Sequence, residues 1–79
     1  MNVVEITEFL EDMKDDSLLP RSVKARINSV ISILGEDCEV SLKVNKSLHE
    51  LEDVSQDPNI QPFLRTQLWH VASLLESVD

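Results

Sequence analysis

Two stretches, Asp15-Asp16-Ser17-Leu18-Leu19-Pro20 and Asp57-Pro58-Asn59-Ile60-Gln61-Pro62, decide how this chain is read. Each carries aspartate, then Ser or Asn, then proline three residues later. Ser17 and Asn59 are candidate helix caps, because a short side-chain oxygen can take a free backbone N–H. Pro20 and Pro62 then fall in a first helical turn, where a missing N–H costs nothing. Both stretches read as breaks between helices.

Outward from the first break, Val3, Ile6, Phe9, Leu10 and Met13 precede it at helical spacing, with Glu5, Glu8, Glu11 and Asp12 in between. This predicts a helix over 3–14. After it, Val23, Ile27, Val30 and Leu34 make one stripe, with Ile31 and Ile33 on its flanks. Gly35 follows, a residue able to adopt the left-handed conformation that ends a helix. Beyond the second break, Leu64, Leu68, Val71 and Leu75 form a matching stripe that Val78 continues.

The stretch before the second break is ambiguous. Cys38, Val40, Leu42 and Val44 alternate with Glu39, Ser41 and Lys43 as in a strand, and helical spacing resumes through Leu48, Leu51 and Val54. A lone strand would leave its backbone groups without partners. A helix from about Cys38 to Ser55, capped by Asp37, is therefore expected. It places Leu42 opposite Val44 and Leu48.

The segments also repeat. Leu10-Glu11-Asp12-Met13 returns as Leu51-Glu52-Asp53-Val54, 41 residues on, and the two breaks stand 42 apart. At 41 again, Val23, Ile27, Val30 and Leu34 map onto Leu64, Leu68, Val71 and Leu75, and Lys24 onto Arg65. One-residue slips beside the turn are expected to be absorbed by the loop. The predicted fold is an all-α four-helix bundle made of two pseudo-repeated antiparallel hairpins, about 3–34 and 38–78, in a single domain over 1–79. Each hairpin exposes an apolar stripe that the other covers.

Composition narrows the function classes. A chain of 79 residues has one core to bury. Hydrophobic residues at 42% and charged residues at 28% argue against disorder. A net charge of -8 argues against a protein that tracks phosphates. One cysteine excludes an internal disulfide and a multi-cysteine zinc site, and one glycine excludes a glycine-rich phosphate loop. No run approaches the roughly 18 apolar residues of a membrane span. Met1-Asn2-Val3-Val4-Glu5 lacks the basic start and apolar core of a signal peptide, so a cytoplasmic location is expected.

Pro20-Arg21, Asp57-Pro58-Asn59-Ile60, and Arg65-Thr66-Gln67-Leu68-Trp69 followed by Leu75-Glu76 together resemble the archaeal uncharacterised protein family 0147. The resemblance covers most of the chain and is closest from Ser55 onward. It implies a four-helix, all-α protein with no assigned activity, and it carries over no catalytic residue. Gln61-Pro62 departs from the proline expected nearer Ile60, and the third helix begins less rich in alanine than expected. Each hairpin is also similar to a HEAT-type repeat, although two units are too few for a solenoid groove.

Catalytic, cofactor and metal sites are not expected. A carboxylate-bridged di-metal bundle needs Glu-x-x-His, but Lys46 precedes His49 by three residues and Gln67 precedes His70. A calcium loop starting at Asp53 would find Pro58 and Leu64 where Gly and Glu are required. The acids Glu8, Glu11, Asp12, Asp15 and Asp16 read as a solvated helix face. Cys38 stands near a predicted helix start, but a catalytic thiol needs a histidine partner and neither histidine is local to it, so a buried or half-buried structural cysteine is expected. Asn45-Lys46-Ser47 matches a glycosylation sequon yet sits in a predicted helix.

The interaction candidates are Trp69, Leu42 and Phe63. Trp69 falls about 130° from the centre of its helix's apolar stripe, near Arg65 and Glu76. Tryptophan is enriched where partners bind. If the three cluster on one surface, a homodimer is the simplest cover. The expected function is thus a small non-enzymatic interaction or assembly module that meets a protein partner or a second copy. The alternative is an accessory RNA- or ribonucleoprotein-binding factor, with Arg21, Lys24 and Arg26 touching phosphate. A plainer role for the bases is also expected: Lys24 paired with Glu11, Asp12 or Asp15, and Arg65 with Glu52, Asp53 or Asp57.

Overall fold

The apolar spacing produces α1 (Val3–Lys14), α2 (Arg21–Leu34), α3 (Val40–Ser55) and α4 (Pro62–Glu76) in a computed structural model that describes residues 2–16 and 19–78. Among the described residues there is no strand. α1 is started by Asn2, whose side-chain oxygen accepts the Glu5 N–H at 2.9 Å, a cap the sequence reading had not singled out. One face of each helix is buried. Ile6, Leu10 and Met13 lie inward on α1; Val23, Ile27, Val30 and Leu34 on α2; Val44, Ser47, Leu51 and Val54 on α3; Leu64, Leu68, Val71 and Leu75 on α4.

Several expected boundaries are corrected. α3 begins at Val40 rather than Cys38, with Glu39 in the cap position and no side-chain cap bond. The chain turns earlier, where the Cys38 N–H donates to the Glu36 carbonyl at 3.1 Å, so Asp37 precedes the helix without capping it. Asn59 does not cap α4 either. Its N–H donates to the Asp57 side chain at 2.9 Å in a tight turn, and Gln61 takes the cap position. Pro62 lies in the first turn of α4, as expected, and is its first residue. Pro20 is itself the cap residue of α2, and the expected cap Ser17 lies outside the described residues. Gly35 ends α2 with φ of -87°, a right-handed conformation, so no left-handed cap forms.

The connections are short, and each helix packs on the next, giving antiparallel neighbours. α1 returns beside α4 to close the ring, while the diagonal pairs, α1 with α3 and α2 with α4, show no close backbone approach among the described residues. The most extensive interface is between α2 and α3, across the boundary of the two expected hairpins; the sparsest is between α1 and α4. The radius of gyration, 11.6 Å, is that of a close-packed chain of this length, so no helix stands apart.

The two inter-helix turns that contain proline share their hydrogen bonds at a constant spacing. Asp15 N–H to Asp12 O and Asp16 N–H to Met13 O recur as Gln56 to Asp53 and Asp57 to Val54. Leu19 N–H to Asp16 O recurs as Ile60 to Asp57, and Lys24 N–H to Pro20 O as Arg65 to Gln61. Every pair is 41 residues apart, so the expected slip beside the turn is absent from the backbone. The prolines differ, Pro20 standing as a cap and Pro62 as a first helical residue. Leu19 and Ile60 are both buried, so each turn sends one aliphatic side chain into the core.

Candidate interaction surface

Because α4 buries Leu64, Leu68, Val71 and Leu75, helical geometry turns the residues between them outward. Trp69 is 59% exposed and Phe63 69%, and on α3 Leu42 is 48% exposed. All three sequence candidates therefore lie on the surface. They do not form one patch. Trp69 stands over a groove between α3 and α4, about 220 Å³ in volume, floored by Leu48, Leu51 and Leu68 and edged by Glu52 and Glu76. Phe63 lies six residues away, about 120° round the same helix at 100° per residue. It lines a groove of about 280 Å³ between α1 and α4, with Phe9, Met13 and Leu64, edged by Asp12 and Asp16. Leu42 lines neither groove. It too is about 120° from Leu48, on the far side of α3.

Val4, 65% exposed, was missed by sequence reading although at 100° per residue it falls roughly 150° from the centre of the α1 stripe. It lines a shallow depression with Val3, Val40 and Val78 where the helix ends meet. Phe9 and His70 bring α1 to α4 by an edge contact, with ring centroids 6.1 Å apart.

The basic side chains depart from the expected ion pairs. Arg65 donates from Nε to the Ser55 carbonyl at 2.9 Å and from Nη2 to the Asp57 carbonyl at 3.4 Å. Among the described residues neither Arg65 nor Lys24 forms an ion pair. The physical reason is position: a base at the fourth residue of a helix reaches back over the loop to the end of the preceding helix. Carbonyls there lack intrahelical donors and carry the negative end of the helix dipole. Lys43, also fourth in its helix, does the same, with Nζ 3.1 Å from the Leu34 carbonyl that ends α2. Sequence reading missed Lys43, because a helix read from Cys38 made it the sixth residue rather than the fourth.

The phosphate candidates are not gathered either. Arg26 donates to Glu50 at 2.7 Å, tying α2 to α3. That hydrogen bond, with the Glu50 charge, raises the Arg26 pKa further above its ordinary value. Helical geometry puts Arg26 roughly 140–160° from Arg21 and Lys24. Arg21 is exposed and Lys24 half-buried. Cys38 is a free, half-buried thiol in the α2–α3 connection. Among the described residues no three His, Cys, Asp or Glu side chains are placed to hold a metal ion, and no helix is long and apolar enough to cross a membrane.

Fold and surface together define a small, acidic, antiparallel four-helix protein with open grooves between its helices, lined by apolar and acidic side chains. The model of the uncharacterised protein family UPF0147 matches residues 2–78, and the chain belongs to that family. It is 35% identical over 72 residues to a UPF0147 protein of Methanosarcina mazei, covering 90% of this chain and 77% of the relative. A UPF0147 protein of Archaeoglobus fulgidus is 34% identical over 75 residues, covering 95% and 86%. The crystal structure of the unknown-function protein MMP1188 superimposes with a TM-score of 0.90 at 29% identity, covering 98% of this chain and 89% of that one. These similarities agree with the four-helix, all-α reading and with the family resemblance drawn from the sequence.

Proposed function

We propose that this protein is a small non-enzymatic interaction module that works in the cytoplasm by holding a protein partner, a second copy being one such partner. The observation that carries the reading is Trp69, 59% exposed over an apolar groove although its helix has a complete buried stripe without it. A tryptophan left in water gives up burial worth about 2–3 kcal/mol, so an exposed one over an apolar floor is placed for a partner. Phe63 adds a second such position between α1 and α4. The same reading treats the hairpins as repeated units, supported by turn bonds 41 residues apart. RNA binding gains no support, since Arg26 is engaged by Glu50 and the other two bases lie on another face.

The test compares the wild-type protein with Trp69→Ala and Phe63→Ala as baits in an extract of the source organism, alongside light scattering at high micromolar concentration. A partner, or self-association, lost with either variant is expected. A strict monomer whose captured proteins are the same for all three baits would overturn the reading.

A further inference from the structure

The α3–α4 groove combines three features that none of the other grooves shows together. Its floor is aliphatic (Leu48, Leu51, Leu68), its wall is the indole of Trp69, and a carboxylate stands on each helix, Glu52 on α3 and Glu76 on α4. Neither glutamate forms an ion pair among the described residues, and no base lines the groove. The nearby base, Arg65, is turned to the backbone carbonyls of Ser55 and Asp57.

We propose that this groove receives a lysine or arginine side chain from a basic, amphipathic segment of a partner protein. The alkyl stem of such a side chain lies on Leu48, Leu51 and Leu68, while its charged head meets the Trp69 face and the two carboxylates. Charge decides against a second copy in this place. A two-fold contact centred on Trp69 would bring both copies' Glu52 and Glu76 together, four carboxylates with no base between them. The net charge of -8 opposes self-association further and steers a cationic partner inward. This inference rests on the interaction-module reading and names the chemistry of its partner.

The chain contains one tryptophan and no tyrosine, so its intrinsic fluorescence reports on this groove. The probe is a synthetic amphipathic peptide alternating leucine with lysine and arginine at helical spacing; the control replaces every base by glutamine. The basic peptide is expected to give a saturable change in Trp69 emission, weakened by salt and at least about tenfold weaker with Glu52→Gln/Glu76→Gln. With labelled peptide, Trp69→Ala is expected to lose binding while Trp69→Phe keeps part of it. Circular dichroism verifies that each variant is folded. Equal binding of the glutamine peptide, undiminished binding by the double glutamine variant, or binding that leaves Trp69 emission unchanged would each overturn the proposal. A concentration-dependent shift of Trp69 emission without peptide would make the occupant a second copy: it overturns the cationic assignment and leaves the module reading standing.

Discussion

Ser47 is fully buried on α3, and its hydroxyl has no hydrogen-bond partner among the described residues. It stands 41 residues after Ile6, which is also fully buried. A buried hydroxyl without a partner is destabilising, and serine is a poorer helix former than alanine. Ser47→Ala is expected to raise stability by about 1 kcal/mol, read as a higher urea midpoint at unchanged slope. Ser47→Leu is expected to lower it by about 1–3 kcal/mol, because no room is left at a position where α3 packs inward. Gly35 gives a second residue-scale test. Its φ of -87° suits any L-residue, and an added Cβ would meet only the Ile31 and Ser32 carbonyls at 3.6 Å, an ordinary contact. Gly35→Ala is therefore expected to stabilise by about 0.4–1 kcal/mol, chiefly by restricting the unfolded chain. The presence of glycine after Leu34 marked the helix end correctly. Its backbone conformation was not legible, since a helix can end in the right-handed region when later N–H groups reach back, as Glu36 does to Ile33.

At the scale of the element, the helices are ended by their successors. Arg65 holds the last carbonyl of α3 and Lys43 the last of α2, whereas Lys24 makes no such bond among the described residues. Replacing each by methionine keeps the stem and removes the charge. Arg65→Met is expected to cost about 1–2 kcal/mol and Lys43→Met about 0.5–1 kcal/mol, with Lys24→Met close to neutral. Denaturant midpoints of the three variants check the order. Equal losses would mean that the bases act through general charge rather than through these carbonyls. Apolar spacing placed α1 and the buried stripes of α2 and α4 because burial of one stripe outweighs local preference, while the caps expected at Ser17 and Asn59 would have begun α2 and α4 two or three residues before Arg21 and Pro62. It misplaced the start of α3 by two residues, since Cys38 continues the apolar pattern while its N–H is already taken by a turn to Glu36. Periodicity records which side chains are wanted inside, not which amide begins the helix.

Across the whole molecule, the ring of helices is uneven. α2 and α3 share the broadest interface, reinforced by Arg26–Glu50, while α1 meets α4 sparsely. Local opening follows the weakest packing. Native-state hydrogen exchange is expected to find the slowest amides in the buried turns of α2 and α3 and the earliest opening in α1. Uniform protection of all four helices would contradict this ordering.

The buried stripes, the breaks at the two proline-containing turns, the acidic surface and the four-helix class were settled by the linear order of residues, because each depends only on spacing along one helix or on chemistry within a few neighbours. Which helices adjoin, which grooves stay open and where each base goes depended on the closed ring. Trp69, Phe63 and Leu42 were all recognisable as outward-facing, yet only the assembled bundle put them on separate faces and brought Glu52 and Glu76 to the lining of one groove. A helix's own sequence fixes the angle at which a side chain leaves it; what that side chain meets belongs to another helix, and only packing brings that helix there.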